Sequence, residues 1–359
     1  MSMRGMGFTL WDAVALGQAS GPGTRLALGP AADADIIAPA GLTLTPQEAR
    51  GALTPASRYF FSFGNQAVFP DTEPLALALD EITEHSGTGF MLACLAEPGL
   101  GRFVYQGHLF QDGQLIADLR RTLTPHLSGR PVIIPYEAVA AGGTVLARRI
   151  SATREQGAAL ALLDAVDEAQ CAALAPVLAA QLCTGGPAWA ANLAPPLALP
   201  EPPDGRVAIL SGALDRQTLF QLATAREKLP LRQIDPQAPD IEGALTWAAA
   251  QERNFIISTS APPDMRGPAT TLAADALAEI AAGLAAQNFR HFAITGNDTA
   301  SIILHRLGTR MLTVGGEWEE LSWLSSGDYK FLLKPGGFGG QHLLLDGFGP
   351  QIRLNDAAE

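Results

Sequence analysis

The stretch RHFAITGNDTASIILHRLG, residues 290–308, joins a short apolar run to an amphipathic run through a small polar turn. A second turn of this kind follows, where YKFLLK at 329–334 leads into PGGFGG at 335–340. Apolar strands that alternate with amphipathic helices are typical of parallel α/β sheets. Both turns would then lie at the carboxyl ends of strands, which is the edge where open α/β sheets bind ligands.

The same alternation extends upstream from these turns. Amphipathic helical segments separate the strand-like runs RVAIL, LRQI, NFIIST and HFAIT, and RMLTV and YKFLLK follow. This pattern predicts a C-terminal α/β domain at residues 206–359. The segment APPLALPEPPDG at 194–205 predicts a linker before it, because proline fixes φ and donates no backbone hydrogen bond.

The first half of the chain predicts a second α/β domain, at residues 1–194. Its helix candidates are TPQEARGAL, LALALDEITEH and DEAQCAALAPVLAAQL. Its strand candidates are TRLALG, ADIIAP, RYFFSF, FMLACL, RPVIIP and GTVLARRI. The predicted fold class is therefore two α/β domains with mainly parallel sheets and a ligand cleft between them.

Composition excludes several classes of partner. The 359 residues carry a net charge of −12, which leaves no basic surface for nucleic acid or for an anionic membrane, so an anionic ligand needs a local positive site. No apolar run reaches the length of a membrane span and no signal peptide opens the chain, so we expect a soluble cytoplasmic protein. The sequence is compatible with a homo-oligomer and does not fix the oligomeric state.

The cysteines indicate the redox compartment of the protein, and the histidines indicate whether it has a metal site. Three cysteines form an odd count without pair spacing, as expected of buried thiols in a reducing compartment. The six histidines show no metal-ligand spacing, so we predict no dedicated metal site.

The turn at 295–300 has the residue types of an anion site. Gly296 would let the backbone approach a phosphate, and Asn297 tolerates a left-handed turn. Asp298 and Thr299 add a carboxylate and a hydroxyl at the start of the helix. The alternative is that Asp298 or Thr299 only caps that helix.

The turn KPGGFGG at 334–340 is rich in glycine, a composition that favours close approach of the backbone to a ligand. Lys334 would then meet a phosphate charge. The alternative is a flexible surface loop. No G-x-x-x-x-G-K-[ST] motif occurs, so this is not a Walker-type phosphate loop.

These turns carry a resemblance to a known family. TGNDTASIILHRLGTRMLTVGGEWEELSW followed by YKFLLKPGGFGG resembles the nucleotide-binding C-terminal domain of the four-carbon acid sugar kinases, with its T-G-G-D-T-A and K-S-G-G-F-G motifs. LSGALDRQTLFQ at 210–221 is similar to the family's S-G-S-x-S-x-x-T-x-x-Q, with Ala213 and Asp215 in place of two serines.

The resemblance implies ATP and Mg²⁺ as cofactors and Asp298 as a catalytic residue. The implied nucleotide-binding residues are Ser211, Gly212, Gly296, Asn297, Asp298, Thr299, Lys334, Gly336, Gly337 and Gly339.

The first half resembles the family's acid-sugar-binding domain in GRFVYQGHLFQDGQLI, LLDAVDEAQCAAL and CTGGPAWA. The resemblance implies a small sugar acid as substrate, with Asn65, Arg102 and His108 as candidate binding residues. Arg102 would clamp a carboxylate and His108 would serve as a general base. The alternatives are a solvated surface arginine and a structural histidine.

Two segments depart from the family. Met6 and Gly7 stand where it has paired aspartates, and YFFSFGNQAVF at 59–69 replaces an ionic segment. The aromatic rings of that segment either stack on a less polar ligand or belong to the core. One hypothesis is an ATP-dependent kinase with an altered acceptor pocket, which predicts weak or absent phosphorylation of four-carbon sugar acids such as threonate and erythronate. The other is a non-catalytic, nucleotide-binding relic of a kinase.

Overall fold

A computed structural model describes residues 3–53, 58–64, 72–187, 205–260, 270–318 and 321–349. The chain divides into two compact units, Met1–Leu197 and Ala198–Glu359. Each unit is built on a mainly parallel sheet with helices, so the prediction of two α/β domains with mainly parallel sheets is confirmed. The predicted domain limits at 194 and 206 stay predictions, because almost all of the proline-rich segment lies outside the described residues.

The main sheet of the N-terminal unit is parallel in the order β2-β3-β1-β4-β11-β5-β10-β9. The strands of the unit are β1 (Met3–Gly7), β2 (Arg25–Leu28), β3 (Ile36–Ala38), β4 (Arg58–Ser62), β5 (Met91–Ala93), β6 (Arg102–Tyr105), β7 (His108–Gln111), β8 (Gln114–Asp118), β9 (Arg130–Ile134), β10 (Ala158–Leu163) and β11 (Cys183–Gly186). The central strands are almost continuously apolar, as expected when helices cover both faces of a parallel sheet.

The helices of this unit are α1 (Leu10–Ser20), α2 (Pro46–Ala52), α3 (Glu73–His85), α4 (Leu119–Leu123), α5 (Tyr136–Ala141), α6 (Gly143–Glu155) and α7 (Glu168–Ala180). The prediction of a strand at GTVLARRI was wrong, because this segment forms the first part of α6. Its buried residues Leu146, Ile150 and Thr153 recur at helical spacing. No helix in the described part of the chain is long and apolar enough to cross a membrane.

Strands β6, β7 and β8 form a small antiparallel sheet. Two-residue turns join them, and Gln106, Gly107, Asp112 and Gly113 all have positive φ. Such turns match the right-handed twist of the strands they connect. The first turn brings His108 to the start of β7.

The C-terminal sheet has the order β13-β14-β12-β15-β18-β17-β16. Its strands are β12 (Ala208–Ser211), β13 (Leu231–Gln233), β14 (Phe255–Ser258), β15 (His291–Thr295), β16 (Met311–Trp318), β17 (Leu321–Ser326) and β18 (Tyr329–Lys334). Its helices are α8 (Arg216–Ala225), α9 (Ile241–Ala249), α10 (Thr270–Ala286), α11 (Asn297–Arg306) and α12 (Leu343–Phe348). Strand β17, which pairs antiparallel with β16 and β18, was not among the predicted strands.

The connections out of β12 and β15 run in opposite directions across the sheet. The chain leaves β12 through α8 to β13, on one side of these two strands, and it leaves β15 through α11 to β16, on the other side. Helix α10 packs against α9 and α11, whereas α8 packs against α12. Right-handed crossovers place these two groups on opposite faces, which opens a crevice between the ends of β12 and β15.

Candidate functional site

A row of polar side chains crosses the carboxyl edge of the C-terminal sheet. Strand register sets them side by side in the order Gln233, Ser258, Ser211, Thr295 and Lys334. The Ser211 Oγ lies 2.7 Å from the Thr295 Oγ1 and 3.0 Å from the Ser260 Oγ. Buried hydroxyls require such partners, and the row gives the crevice a polar floor.

Two glycines let the loops after β12 and β15 approach one another. A methyl group at Gly212 would lie 2.2 Å from the Thr299 Oγ1, and one at Gly296 would lie 3.2 Å from the Ala213 nitrogen. Gly296 also has a φ of +100°, which disfavours any other residue. The predicted glycine turn therefore lies at the crevice itself.

Helix α11 begins directly at this crevice. Its N-cap is Gly296, and no side chain caps it, so neither Asp298 nor Thr299 has the capping role that the alternative interpretation gave them. Asp298 is exposed in the first turn, and Thr299 is buried beside Gly212. An uncapped helix start attracts anions through its backbone N–H groups and its dipole.

Lys334 ends β18 with its side chain buried. Its Nζ donates hydrogen bonds to the Thr218 Oγ1 and to the Pro335 carbonyl, each at 3.0 Å. Burial lowers the pKa of this lysine to about 8, against the opposing effect of the Asp215 charge. The ammonium group is thus fixed beneath the glycine turn and is mainly protonated at neutral pH.

Asp215 also belongs to this site. In the sequence it stood out only because it replaces a serine of the family motif. Its carboxylate accepts the backbone N–H and the hydroxyl hydrogen of Thr218, each at 2.8 Å, and so caps α8. Burial raises its pKa, but the bonds from Thr218 and Gly337 and the charge of Lys334 lower it overall. A methyl group at Gly336 would lie 2.8 Å from its Oδ2. The acid joins α8 to the glycine turn.

The glycine turn is held against α8 by two glutamines. The Gln221 Nε2 lies 2.9 Å from the carbonyls of residues 338 and 340, and the Gln217 Nε2 lies 2.8 Å from the carbonyl of Gly339. Gly337 and Gly339 have φ values of +75° and +80°. These bonds argue against a flexible surface loop, and they give Gln221, a residue shared with the family pattern, a structural role.

These donors fit the phosphates of a nucleotide. An uncapped helix start, a buried ammonium group and a glycine turn lie along one sheet edge, and each favours anions. Within the described ranges, no group of three or more His, Cys, Asp or Glu side chains forms a metal site. The exposed Asp298 carboxylate at the start of α11 could contact a magnesium ion bound to the nucleotide.

In the N-terminal unit, Arg102 is buried, so the alternative of a solvated surface arginine is wrong. Its guanidinium donates to the Gly64 carbonyl and to Gln111, and it pairs with Glu97 at 3.3 Å. Burial raises the pKa of Glu97 to about 7, although the Arg102 charge opposes this. Arg102 is thus engaged with groups of the protein, and Asn65 lies outside the described residues.

His108 follows the turn between β6 and β7. Its Nδ1 lies 3.0 Å from the Gln106 carbonyl, and its Nε2 lies 3.9 Å from the Asp118 carboxylate. The buried Asp164 fixes this turn, because its carboxylate accepts the N–H groups of Gln106 at 2.6 Å and Gly107 at 2.9 Å. Burial raises the pKa of Asp164 in spite of these bonds. Asp164 was not among the site residues predicted from the sequence.

The positions that depart from the family are packed into the core. Met6 is buried, and a methyl group at Gly7 would lie 2.2 Å from the Ala13 nitrogen, so no side chain fits there without a backbone shift. Phe60, Phe61 and Phe63 are each at most 1% exposed. These rings therefore belong to the core and do not stack on a ligand.

Comparison with known proteins gives matches in both units. A family model described as a nucleotide-binding C-terminal domain matches residues 208–344, and one described as a sugar-binding N-terminal domain matches residues 74–193. A protein of Cupriavidus necator named 3-oxo-tetronate kinase is 30% identical over 76% of this chain and 72% of its own length. One of Burkholderia multivorans with the same name is 28% identical over 84% of this chain and 80% of its own length.

Two solved structures share the fold at 20% identity. A Salmonella typhimurium protein described as a putative tRNA synthase has a TM-score of 0.77, with 96% of this chain and 98% of that chain covered. A Haemophilus influenzae protein has a TM-score of 0.71, with 94% and 97% covered.

Proposed function

Since the chain belongs to the four-carbon acid sugar kinase family, we propose that it transfers a phosphoryl group from ATP to a hydroxyl group of a small sugar acid. The name shared by its relatives makes 3-oxo-tetronate the first acceptor to test. The observation that carries the proposal is the sheet edge at which the uncapped start of α11, Lys334 and the glycine turn converge.

The residues of this edge would bind phosphates and neutralise their charge. ATP supplies the phosphoryl group: its bond to the leaving ADP oxygen breaks, a bond to the acceptor oxygen forms, and the proton of the acceptor hydroxyl passes to solvent water. The N–H groups at the start of α11 and the Lys334 ammonium stabilise negative charge on phosphate oxygens. Asp298 would orient magnesium. Catalysis of this type depends on positioning and electrostatics.

The acceptor pocket differs from the family pattern in the positions around β1 and β4. With Met6 and Gly7 in place of acids, and with Phe60, Phe61 and Phe63 in the core, these segments offer no charged group to a sugar acid. We propose that other residues of the N-terminal unit bind the acceptor.

A coupled ADP-release assay over a panel of sugar acids tests the proposal. Because relatives are named 3-oxo-tetronate kinase, we expect saturable turnover on this acid, in place of the weak turnover on four-carbon acids that the sequence alone predicts. We expect at least tenfold lower kcat/KM on threonate and erythronate, because they carry a hydroxyl group where the 3-oxo acid has a carbonyl. Nucleotide binding without ADP release on any acid would instead support the non-catalytic alternative. Equal turnover on all four-carbon acids would contradict the altered pocket.

A further inference from the structure

Arginine is the only residue type of the N-terminal unit whose side chain carries a permanent positive charge, which the carboxylate of a sugar acid favours as a partner. Residues 1–197 contain eleven arginines and no lysine. A guanidinium group recognises a carboxylate through charge-assisted and often bidentate hydrogen bonds. This requirement rests on the proposed function, because only an anionic acceptor needs such a partner.

Several of these arginines are already engaged with the protein. Arg102 is buried against Glu97 and the Gly64 carbonyl. Similar contacts to carboxylates or backbone carbonyls hold four more, in the pairs Arg4 with Ala32, Arg25 with Asp33, Arg50 with Glu81 and Arg58 with Ala179. Recruiting one of them for a ligand would break a contact that the fold uses.

Arg120 and Arg121 differ from these five. They are adjacent and exposed on α4, and neither side chain makes a hydrogen bond or ion pair with another described residue. Both line a cavity of about 450 Å³ together with His108 and Asp118. Small-molecule sites typically measure about 300–1,000 Å³.

The cavity lies at the carboxyl edge of the main sheet. Ile133, near the end of β9, contributes to its lining, and a methyl group at Gly107 would lie 2.3 Å from the Ile133 Cδ1. Asp164, directly after β10, binds the turn that carries His108. This is the edge at which open α/β sheets bind their ligands.

His108 has a fixed orientation beside the two arginines. Because the Gln106 carbonyl only accepts hydrogen bonds, the Nδ1 at 3.0 Å from it must carry the hydrogen. In the neutral ring the Nε2 is then an acceptor, suited to a hydroxyl group of a ligand. The opposing charge in the cavity is Asp118, whose carboxylate accepts the Arg121 backbone N–H at 3.0 Å and caps α4.

We propose that this cavity binds the sugar acid, with Arg120 and Arg121 holding its carboxylate and His108 accepting a hydrogen bond from one of its hydroxyl groups. The cavity supplies the local positive site that an anionic ligand requires on a chain with a net charge of −12. In this proposal the residues that recognise the acceptor lie between β6 and β9. They are separate from Met6, Gly7 and the aromatic segment of β4, where the family has charged residues.

The test is the double variant Arg120→Ala/Arg121→Ala in the full chain. We expect KM for 3-oxo-tetronate to rise about 10- to 100-fold while KM for ATP stays within twofold. The matched control is Arg148→Ala/Arg149→Ala, which removes the other adjacent and exposed arginine pair, on α6. The control should leave both KM values within twofold of the wild type.

A second measurement separates carboxylate binding from a structural role. The wild type should prefer the acid over its uncharged C1 amide at least tenfold, and the Arg120/Arg121 variant should lose this preference. Calorimetric titrations with 3-oxo-tetronate and with threonate, in the absence of ATP, check the site without catalysis. Binding by the wild type that the double variant loses supports the cavity even if no turnover is found. Unchanged KM, retained preference for the acid, or no wild-type binding of either acid would overturn it.

Discussion

Replacing Lys334 with methionine is expected to lower turnover by about two orders of magnitude or more, because the variant loses the buried positive charge beside the glycine turn. The fold should survive, since methionine fills similar space and removes a charge that burial disfavours. Initial rates with ATP and 3-oxo-tetronate, together with a calorimetric Kd for ATP, measure the effect. The matched control is Lys330→Met, an exposed lysine on the same strand.

The pH dependence gives Lys334 a separate signature. Burial lowers its pKa from 10.5 to about 8, so the charge that binds phosphate is lost as pH rises above 8, and ATP affinity should fall there. Between pH 8 and 10.5 the unfolded chain binds more protons at this lysine than the folded one, so its contribution to stability rises with pH. Lys334→Met should remove both trends. A turnover within threefold of the wild type would contradict the role of Lys334.

Replacing Asp298 with asparagine should lower kcat about 100-fold or more if this carboxylate orients magnesium beside the transferring phosphoryl group. The carboxylate is exposed in the first turn of α11 and has no hydrogen bond or ion pair with another residue that the structure describes. The substitution should therefore change the free energy of unfolding by less than about 1 kcal/mol, through the helix dipole alone. Rates measured over a series of Mg²⁺ concentrations should show a raised requirement for the metal.

Glu242→Gln is the control for Asp298, because it removes an exposed carboxylate from the first turn of α9 in the same unit. Its kcat and its magnesium requirement should match those of the wild type. Equal turnover in Asp298→Asn and wild type would show that Asp298 is not part of the reaction.

The sequence predicts the C-terminal sheet well because its parallel strands are short, apolar and separated by amphipathic helices. The two glycine turns could be placed at strand ends from local pattern alone. The register of the strands could not be predicted from local pattern. The alignment of Ser258, Ser211, Thr295 and Lys334 in one row therefore follows only from the strand pairing in the structure. The sequence also did not decide which residue caps α11. In the structure its N-cap is Gly296, without a side-chain cap.

In the N-terminal unit, the environments of Arg102 and Asp164 could not be predicted because they depend on residues that are distant in the sequence. The alternative of a solvated surface arginine was wrong for Arg102, because the Gly64 carbonyl, 38 residues away, and Glu97 bind its guanidinium in a buried position. Asp164 takes its hydrogen bonds from residues 28 to 58 positions away, so no local motif could reveal its role. The segment GTVLARRI was predicted as a strand, whereas its buried positions follow the helical period.

The most direct measurement is a crystal structure of the full chain with Mg²⁺ and a non-hydrolysable ATP analogue. We expect the phosphates to contact the backbone N–H groups of residues 296–299 and 336–337, with the Lys334 ammonium within hydrogen-bond distance of a phosphate oxygen. Magnesium should lie between the phosphates and Asp298. Phosphates bound away from both glycine turns, or a nucleotide bound outside the carboxyl edge of the C-terminal sheet, would contradict the proposed kinase site.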